Sequence, residues 1–160
     1  MKILAIDPGQ TGALVTIESG NGKITAIKDM PVMAKITGKG KTINELELSR
    51  IIRVLGADIA YVEKVHAMPK QGVSSVFEFG YGVGLIHGIL ASNLVPTFLV
   101  TPQSWKRYCG LINKQKDASR SLAITRHPEV ADQLNLKKHH GRGDAICIAD
   151  YARKLEGEKI

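Results

Sequence analysis

Cysteine is scarce in this sequence: two of its 160 residues are cysteines, which excludes the small, disulfide-rich class of secreted domains. Cys109 and Cys147 do not form a Cys-x-x-Cys pair, and the sequence has no cysteine and histidine spacing typical of a zinc site. We interpret both thiols as packing residues of a protein in a reducing compartment, and we expect a cytoplasmic location.

A signal peptide and an uninterrupted membrane-spanning run are also missing. The apolar run after Lys2 has only four residues before Asp7, which is too short for a signal peptide. The stretch 83–100 is long and apolar, but His87, Asn93 and Pro96 interrupt it, and we predict a helix end and a strand there. We therefore expect a soluble protein without a membrane partner.

Acidic residues are the minority charge. The chain has 22 Lys and Arg against 15 Asp and Glu, a net charge of +7 and a pI of about 9.5. The surplus is concentrated in residues 101–160, with 12 basic and 7 acidic residues, whereas residues 1–100 have 10 and 8. Such an excess favours a polyanionic partner, nucleic acid foremost. The length and the hydrophobic content of 44% predict one globular domain over 1–160.

Hydrophobic patterning predicts a mixed α/β fold. The predicted strands are 2–7, 13–17, 23–28, 58–63 and 97–100. The predicted helices are 44–55, 73–92, one opening at Pro102, 115–126 and 143–155. A Ser-Gly-Asn-Gly turn at 19–22 makes the first three strands an antiparallel meander, and the later strands follow parallel crossovers. We predict a mobile basic loop over 35–41.

Three carboxylates are placed at the ends of predicted elements. Asp7 ends the first strand and Glu63 ends the fourth, and sites in open α/β sheets gather at the carboxyl ends of neighbouring strands. Asp144 falls in the first turn of the last helix, where the helix dipole alone would favour an acid. We interpret Asp150 as a solvated acid and His127, before Pro128, as a loop residue.

Carboxylates from distant segments suit hard divalent cations, so we predict Mg²⁺ or Mn²⁺. Two such ions about 4 Å apart would activate a water molecule and stabilise the leaving oxygen in phosphodiester hydrolysis. Repulsion among the acids would hold the site ready for cations. A bound metal would also explain why Asp7 is tolerated at the end of a buried strand, where an uncompensated charge is costly.

Four stretches in order, "ILAIDPGQTGAL", "YVEKVHAMPKQGVSSVFEFGYGVGLIHGIL", "VTPQSWKRYCG" and "GRGDAICIADYA", resemble the RuvC-type Holliday junction resolvases of the RNase H-like superfamily, with the compact length of phage-borne members. The resemblance implies a five-stranded mixed sheet flanked by helices, in a homodimer. Each subunit would nick one of two opposing strands of a four-way DNA junction and leave 5′-phosphate and 3′-hydroxyl ends.

The resemblance also implies metal-binding roles for Asp7, Glu63 and Asp144. Many family members carry a fourth ligand, Asp or His, three residues before the last acid, and this chain has Gly141 there. His140, His139 or a water molecule would then take the fourth position, and His140 is our candidate catalytic residue.

Several basic and aromatic residues are candidate DNA contacts. Some members stack an aromatic of the loop after the second acid on a base, and His66 stands at the corresponding position, where a solvated histidine is the alternative. The remaining candidates are Lys64, Lys70, Lys106, Arg107, Lys114, Lys116, Lys137, Lys138 and Arg142. A solvated charged loop would also explain 137–142. We expect Trp105 to pack in the core and His87 to be structural. In the resemblance, the glycine-rich helix 73–92 forms the dimer.

Other functions remain open at this point. "DPGQTG" also resembles the first phosphate loop of actin-like and sugar-kinase ATPases, but those proteins need two such domains and a second phosphate loop. Related small proteins process ribosomal RNA precursors or bind branched DNA without cutting it. A pure binder would have no use for the complete set of acids.

Overall fold

The computed structural model of the chain describes residues 1–36, 38–66 and 72–158. Its strands, in chain order, are β1 Lys2–Ile6, β2 Ala13–Glu18, β3 Ile24–Asp29, β4 Val32–Ala34, β5 Lys41–Ile43, β6 Ile59–Glu63 and β7 Thr97–Val100. Its α-helices are α1 Glu45–Leu55, α2 Val73–Ser92, α3 Pro102–Tyr108, α4 Ala118–Arg126 and α5 His140–Gly157. Two 3₁₀ segments, Pro128–Leu134 and Lys137–His139, connect α4 to α5.

The main sheet has five strands in the order β3-β2-β1-β6-β7. β2 pairs antiparallel with both β1 and β3, while β6 is parallel to β1 and β7, as the patterning predicts. Ile6 pairs with Val62, so the residues that follow them, Asp7 and Glu63, leave two neighbouring strands at the same edge of the sheet. The predicted juxtaposition of these two acids is confirmed at the level of topology.

The central strand separates two hydrophobic cores. Ile3 and Ala5 of β1 face a core built with α3, α4 and α5. Leu4 and Ile6 alternate to the other side and face a core built with α1 and α2. Helices therefore cover both faces of the sheet, which confirms the predicted mixed α/β class. A buried β1 holds its carboxyl end, and with it Asp7, in a fixed position.

Strands β4 and β5, which the sequence analysis does not predict, flank the predicted loop 35–41 and overlap it only at Lys41. They form a separate two-stranded hairpin, with Val32 opposite Ile43. These strands have three residues each and lack the apolar alternation that would reveal them in a sequence. Ile43 is buried against α2, where a Cβ at Gly82 would lie 2.9 Å from the Ile43 Cδ1 atom. The absence of a side chain at Gly82 thus allows Ile43 of the hairpin to pack against α2.

Helix α2 leaves much of its apolar surface uncovered. Its buried residues are Gly82, Ile86, Ile89 and Leu90, while Phe77 is 75% exposed. By length and composition alone this helix could cross a membrane, and it is the one helix of the described residues that meets that weak criterion. Apart from its own neighbours in the helix, a Cβ placed at 80, 84 or 88 would meet no atom of the described chain within 4 Å, so no other described element packs closely on these glycines.

The interpretation of Asp150, at the other end of the sheet, was wrong. Asp150 is buried, because α5 turns it toward the end of α4, and it is not a solvated acid. Its Oδ1 lies 2.9 Å from Nε2 of His127, and its Oδ2 accepts a hydrogen bond from Arg126 at 3.1 Å. His127 lies in the connection between α4 and the segment Pro128–Leu134, as predicted, and its buried side chain also belongs to this cluster.

Candidate active site

Asp7 lies at the centre of an acidic cluster. Burial, together with the negative charges of Glu63 and Asp144, raises the pKa of Asp7 to about 7. A backbone N–H of Gly9 donates to its Oδ1 at 3.4 Å, and this hydrogen bond and the charge of Lys116 act in the opposite direction on the pKa. The three predicted acids therefore come within electrostatic reach of one another.

Glu63 is held by a tryptophan. The indole Nε1–H of Trp105 donates to Glu63 Oε1 at 2.8 Å, from a ring that is 1% exposed. Burial raises the pKa of Glu63, the bond from Trp105 opposes that rise, and the charge of Asp144 adds to it. Trp105 packs in the core, as expected, and its polar edge also fixes the orientation of the second acid.

Asp144 reaches the cluster because glycines allow α5 to approach closely. The helix begins at His140 and not at the predicted 143, so Asp144 is its fifth residue, beyond the first turn where the dipole acts. A Cβ at Gly141 would lie 2.1 Å from the Thr11 carbonyl oxygen. Likewise, a Cβ at Gly143 would lie 2.6 Å from the Arg120 backbone. Because Asp144 lies beyond the first turn of α5, the helix dipole does not explain why an acid occupies this position.

The contact at Gly141 also explains the departure at the fourth ligand position. The loop after Asp7 occupies the space that a side chain at 141 would need, and Gly12 in that loop is equally restricted, because its Cβ would lie 2.1 Å from the Asp7 carbonyl oxygen. Neither a histidine nor an aspartate fits at 141 without moving this loop. In this chain a backbone-to-backbone contact takes the place of a ligand.

The two neighbouring histidines have different surroundings. The charge of His140 lowers the pKa of Asp144, so this imidazole lies within electrostatic reach of the third acid. His139 is buried, and its Nδ1 accepts a hydrogen bond from the Leu136 N–H at 3.4 Å. Burial lowers the pKa of His139. Of the two histidines, His140 is therefore the one with an electrostatic link to the acids.

Two of the predicted DNA contacts border the acids. The charge of Lys106 lowers the pKa of both Glu63 and Asp144, and the charge of Lys116 lowers the pKa of both Asp7 and Asp144. Lys106 also lies over the Trp105 ring, with Nζ 5.3 Å from the centroid. A cleft of about 360 Å³ opens beside Asp144 and is lined by both lysines and by Lys114.

Ser119, in the same cleft, has a buried hydroxyl that no sequence pattern pointed to. The residue is 3% exposed, and its Oγ is the one buried side-chain polar atom without a hydrogen-bond partner among the described residues. It nevertheless lies near enough to Asp144 to lower the pKa of that carboxyl. Buried polar groups are rarely left unpaired, so we take this hydroxyl to be part of the surroundings of Asp144.

The remaining predicted contacts are spread over the surface. Lys64, His66, Arg107, Lys137 and Lys138 are exposed, and Lys70 lies outside the described residues. Arg142 is engaged elsewhere: its guanidinium forms two hydrogen bonds to the Asp29 carboxylate, at 2.6 and 2.7 Å. A third hydrogen bond runs to the Gln133 carbonyl at 2.7 Å, so Arg142 ties α5 to β3.

The site fits a divalent cation by its chemistry. Among the residues that the structure describes, no three His, Cys, Asp or Glu side chains stand close enough to hold one metal ion as they lie. Asp7, Glu63 and Asp144 nevertheless supply oxygen donors whose raised pKa values reflect burial and, at Asp7 and Glu63, repulsion. A cation would offset both effects, and hard cations prefer such ligands.

No family model matches this chain. A curated relative, the chloroplastic Holliday junction resolvase MOC1 of Chlamydomonas reinhardtii, is 28% identical over 147 residues. The match covers 78% of this chain, and the chain spans 17% of the length of that protein.

Solved structures resemble the whole chain. RuvC of T. thermophilus in complex with a Holliday junction substrate has a TM-score of 0.64 at 14% identity, covering 98% of this chain and 96% of that one. A second structure of RuvC, from Thermus thermophilus, has a TM-score of 0.60 at 16% identity, with 99% and 97% covered. The fowlpox virus Holliday junction resolvase has a TM-score of 0.59 at 17% identity, with 97% and 99% covered. At these identities, the similarity shows the fold.

Proposed function

We propose that this chain, which has the fold of RuvC-type Holliday junction resolvases, is a metal-dependent endonuclease that nicks four-way branched DNA. The observation that carries the proposal is the assembly of Asp7, Glu63 and Asp144 from β1, β6 and α5 into one cluster with raised pKa values. Burying three carboxylates in one cluster lowers the stability of the fold, and a catalytic metal site is a function that requires such a cluster. The names of the relatives point to the same substrate.

In this proposal the three acids hold one or two Mg²⁺ or Mn²⁺ ions. When bound, the ions supply an activated water molecule and stabilise the leaving oxygen. The chain's own residues position the rest. Trp105 holds one oxygen of Glu63 in place. Lys106 and Lys116 flank the acids and would bind the phosphates on either side of the cut. His140 would hold a proton or complete the ligand set.

Paired nicking requires two active sites, and α2 offers the surface for a homodimer. Val73 is 86% exposed, Phe77 75% and Tyr81 50%, so this face presents large apolar groups to solvent. The open space around the glycines of α2 would let a second copy approach closely. Each subunit would then nick one of two opposing strands and leave 5′-phosphate and 3′-hydroxyl ends.

The test is a substrate panel with protein whose mass in solution has been measured. Synthetic four-way junctions, flaps, linear duplexes and structured RNA are incubated with Mg²⁺. We expect cleavage of the four-way junction in preference to the others, at two symmetric positions, by a protein of dimer mass. Equal cutting of every substrate would remove junction specificity. Absence of cutting with both Mg²⁺ and Mn²⁺ would remove the nuclease proposal, and cutting of RNA alone would replace it with RNA processing.

A further inference from the structure

The β4–β5 hairpin, residues 32–43 without 37, borders the candidate active site. It stands beside the acid end of the sheet, because the side-chain Nε2 of Gln10, in the loop after Asp7, donates to the Lys41 carbonyl at 2.9 Å. On its other side the hairpin is anchored to α2. Lys35 Nζ lies 2.6 Å from Glu78, and Ile43 is buried over Gly82.

The hairpin carries uncompensated positive charge. The charge of Lys35 is balanced by its salt bridge with Glu78, and this pairing lowers the pKa of Glu78. Lys39 and Lys41 are exposed, and within the described residues neither has an acidic partner at salt-bridge distance. Gly38 and Gly40 have φ values of +83° and +109°, which favour glycine, and a Cβ at either position would meet no other atom within 4 Å. The tip therefore presents Lys39 to solvent between two glycines, where it can approach a backbone closely.

A cleft of about 420 Å³ runs from this charge to Pro8, the residue that follows Asp7. It lies between the hairpin, the loop after Asp7 and the N-terminal half of α2, and its lining includes Gln10, Lys39, Lys41, Ser74 and Ser75. The one acidic residue of the lining, Glu78, is paired with Lys35. Lysines, serines and side-chain amides are the groups that contact phosphate and sugar in protein–DNA complexes. The lysine-lined cleft beside Asp144 lies among α3, α4 and α5 and shares no lining residue with this one.

We propose that the β4–β5 hairpin binds the phosphate backbone of a duplex arm of the DNA substrate through Lys39 and Lys41. The inference rests on the proposed function and deepens it. The active site then has basic surfaces on two sides, Lys106 and Lys116 on one and the hairpin on the other, so that a duplex arm entering the site is held by both. The contact is to the backbone and is independent of sequence.

The test compares two double variants with equal loss of charge. Lys39→Ala/Lys41→Ala removes the hairpin lysines. Lys23→Ala/Lys154→Ala removes two exposed lysines at the other end of the molecule, where Arg153 of α5 hydrogen-bonds to the Ser19 carbonyl. Binding to a four-way junction is measured in EDTA over a series of salt concentrations. Single-turnover cleavage is then measured with Mg²⁺ at saturating protein.

We expect the hairpin variant to bind at least about tenfold more weakly at 100 mM salt, and its log–log salt slope to fall by about 0.9 for each phosphate that it no longer neutralises. Its cleavage rate at saturation should equal that of the wild type. A fall in slope of less than about 0.9, or an equal fall in the control, overturns the inference. A variant that binds normally but has a different mass in solution also overturns it, because the hairpin would then serve subunit association.

The two proposals can fail separately. If the wild type cuts junctions and the hairpin variant binds like the wild type, the inference fails and the nuclease proposal stands. If the wild type binds no branched DNA, both fail.

Discussion

The two aspartates of α5 show what a carboxylate needs in order to be buried. Asp150, in the second half of the helix, contacts His127 and Arg126, so its charge is compensated within the chain. Asp144, six residues earlier, is beside Glu63 and Asp7, and the nearest basic groups, Lys106, His140 and Lys116, only partly offset the rise in its pKa. One helix thus carries two different acids. The charge of Asp150 is balanced by residues of the same chain, whereas balancing the charge of Asp144 requires a cation that is not part of the chain.

The difference between these two acids teaches that burial alone does not identify a functional carboxylate. Burying an uncompensated carboxylate costs several kcal/mol, so such a group persists when a function requires it. Asp150 is buried and Asp144 is half-buried, yet the partners of Asp150 account for it entirely. What distinguishes Asp144 is that burial raises its pKa while, within the described residues, no basic group forms a salt bridge with it, whereas Asp150 is paired with Arg126 and His127.

The largest expected effect is the difference between Asp144→Asn and Asp150→Asn in cleavage. Asparagine keeps the shape of the side chain and removes the charge that would hold a metal ion. We expect Asp144→Asn to lower single-turnover junction cleavage at least about 10³-fold, which is about 4 kcal/mol, while junction binding without metal is retained. Asp150→Asn should stay within about threefold of the wild type at a temperature where it is folded. Equal losses in the two variants would erase the distinction between the two ends of α5.

The next effect is a gain in stability on removing Asp7. Its raised pKa means that the folded protein binds this proton more tightly than the unfolded chain does. The stability is therefore complete below about pH 4 and declines as the pH rises toward 7. Asp7→Asn abolishes that decline, so we expect it to be more stable than the wild type above pH 7, by up to about 4 kcal/mol, with no difference near pH 4.

Thermal unfolding between pH 4 and pH 8.5 in EDTA measures the gain. The control is Asp58→Asn, at the opposite end of β6, where an exposed carboxylate accepts a hydrogen bond from the Lys2 backbone at 2.7 Å. The control should not gain stability at high pH. Mg²⁺ should raise the melting temperature of the wild type and leave that of Asp7→Asn unchanged. If Asp7→Asn is destabilised at every pH, the acids are not in electrostatic conflict.

The third effect is a loss of stability at the other end of α5. Asp150→Asn leaves Arg126 and His127 without their anion, and we expect it to cost about 2 kcal/mol. The hydrogen bond that His127 donates to the Asp150 carboxylate raises the pKa of His127, so this stabilisation is complete below about pH 6.5 and is lost as the pH rises through the higher value. The cost should therefore be greater at pH 6 than at pH 9. Glu129→Gln, which weakens a longer contact of 3.4 Å to the same histidine, is the matched control with a smaller cost. A cost that does not change with pH would mean that His127 is neutral throughout.

Much of the fold could be predicted from the sequence because strands and helices repeat at fixed periods. All five strands of the main sheet and all five α-helices lie within a few residues of the predicted bounds. The β4–β5 hairpin was missed, because three-residue strands are too short to show a period and their pairing depends on Ile43 meeting Gly82. Asp7 and Glu63 could be placed together from the order of the strands, whereas Asp144 was joined to them by the chemistry of paired carboxylates and by the family resemblance.

What the sequence could not show is which polar groups find partners in space. The pairing of Asp150 with His127 joins residues that are 23 apart, and that of Arg142 with Asp29 joins residues 113 apart. No local pattern marks either pair. The sequence shows that Gly141 departs from the family pattern. The reason for a glycine there is the close approach of the backbone at Thr11, and a contact between segments so far apart in the chain leaves no sequence pattern.

The smallest expected effect concerns the hydroxyl of Ser119. Because this buried Oγ has no partner at hydrogen-bond geometry, Ser119→Ala should leave the free energy of unfolding unchanged within about 0.5 kcal/mol near pH 4, where Asp144 is protonated, and lower it slightly at pH 9, where the hydroxyl favours the carboxylate. The same hydroxyl lowers the pKa of Asp144, so its loss raises that pKa. The acidic limb of the pH–rate profile should then move to higher pH, and cleavage near pH 6.5 should fall a few-fold, while the rate at pH 9 is unchanged. Ser121→Ala, on the exposed side of α4, should move neither quantity. A rate that falls equally at every pH would show that Ser119 acts through packing. A shift confined to low pH would mean that a neutral group, like the cations near Asp144, helps to keep this acid ionised.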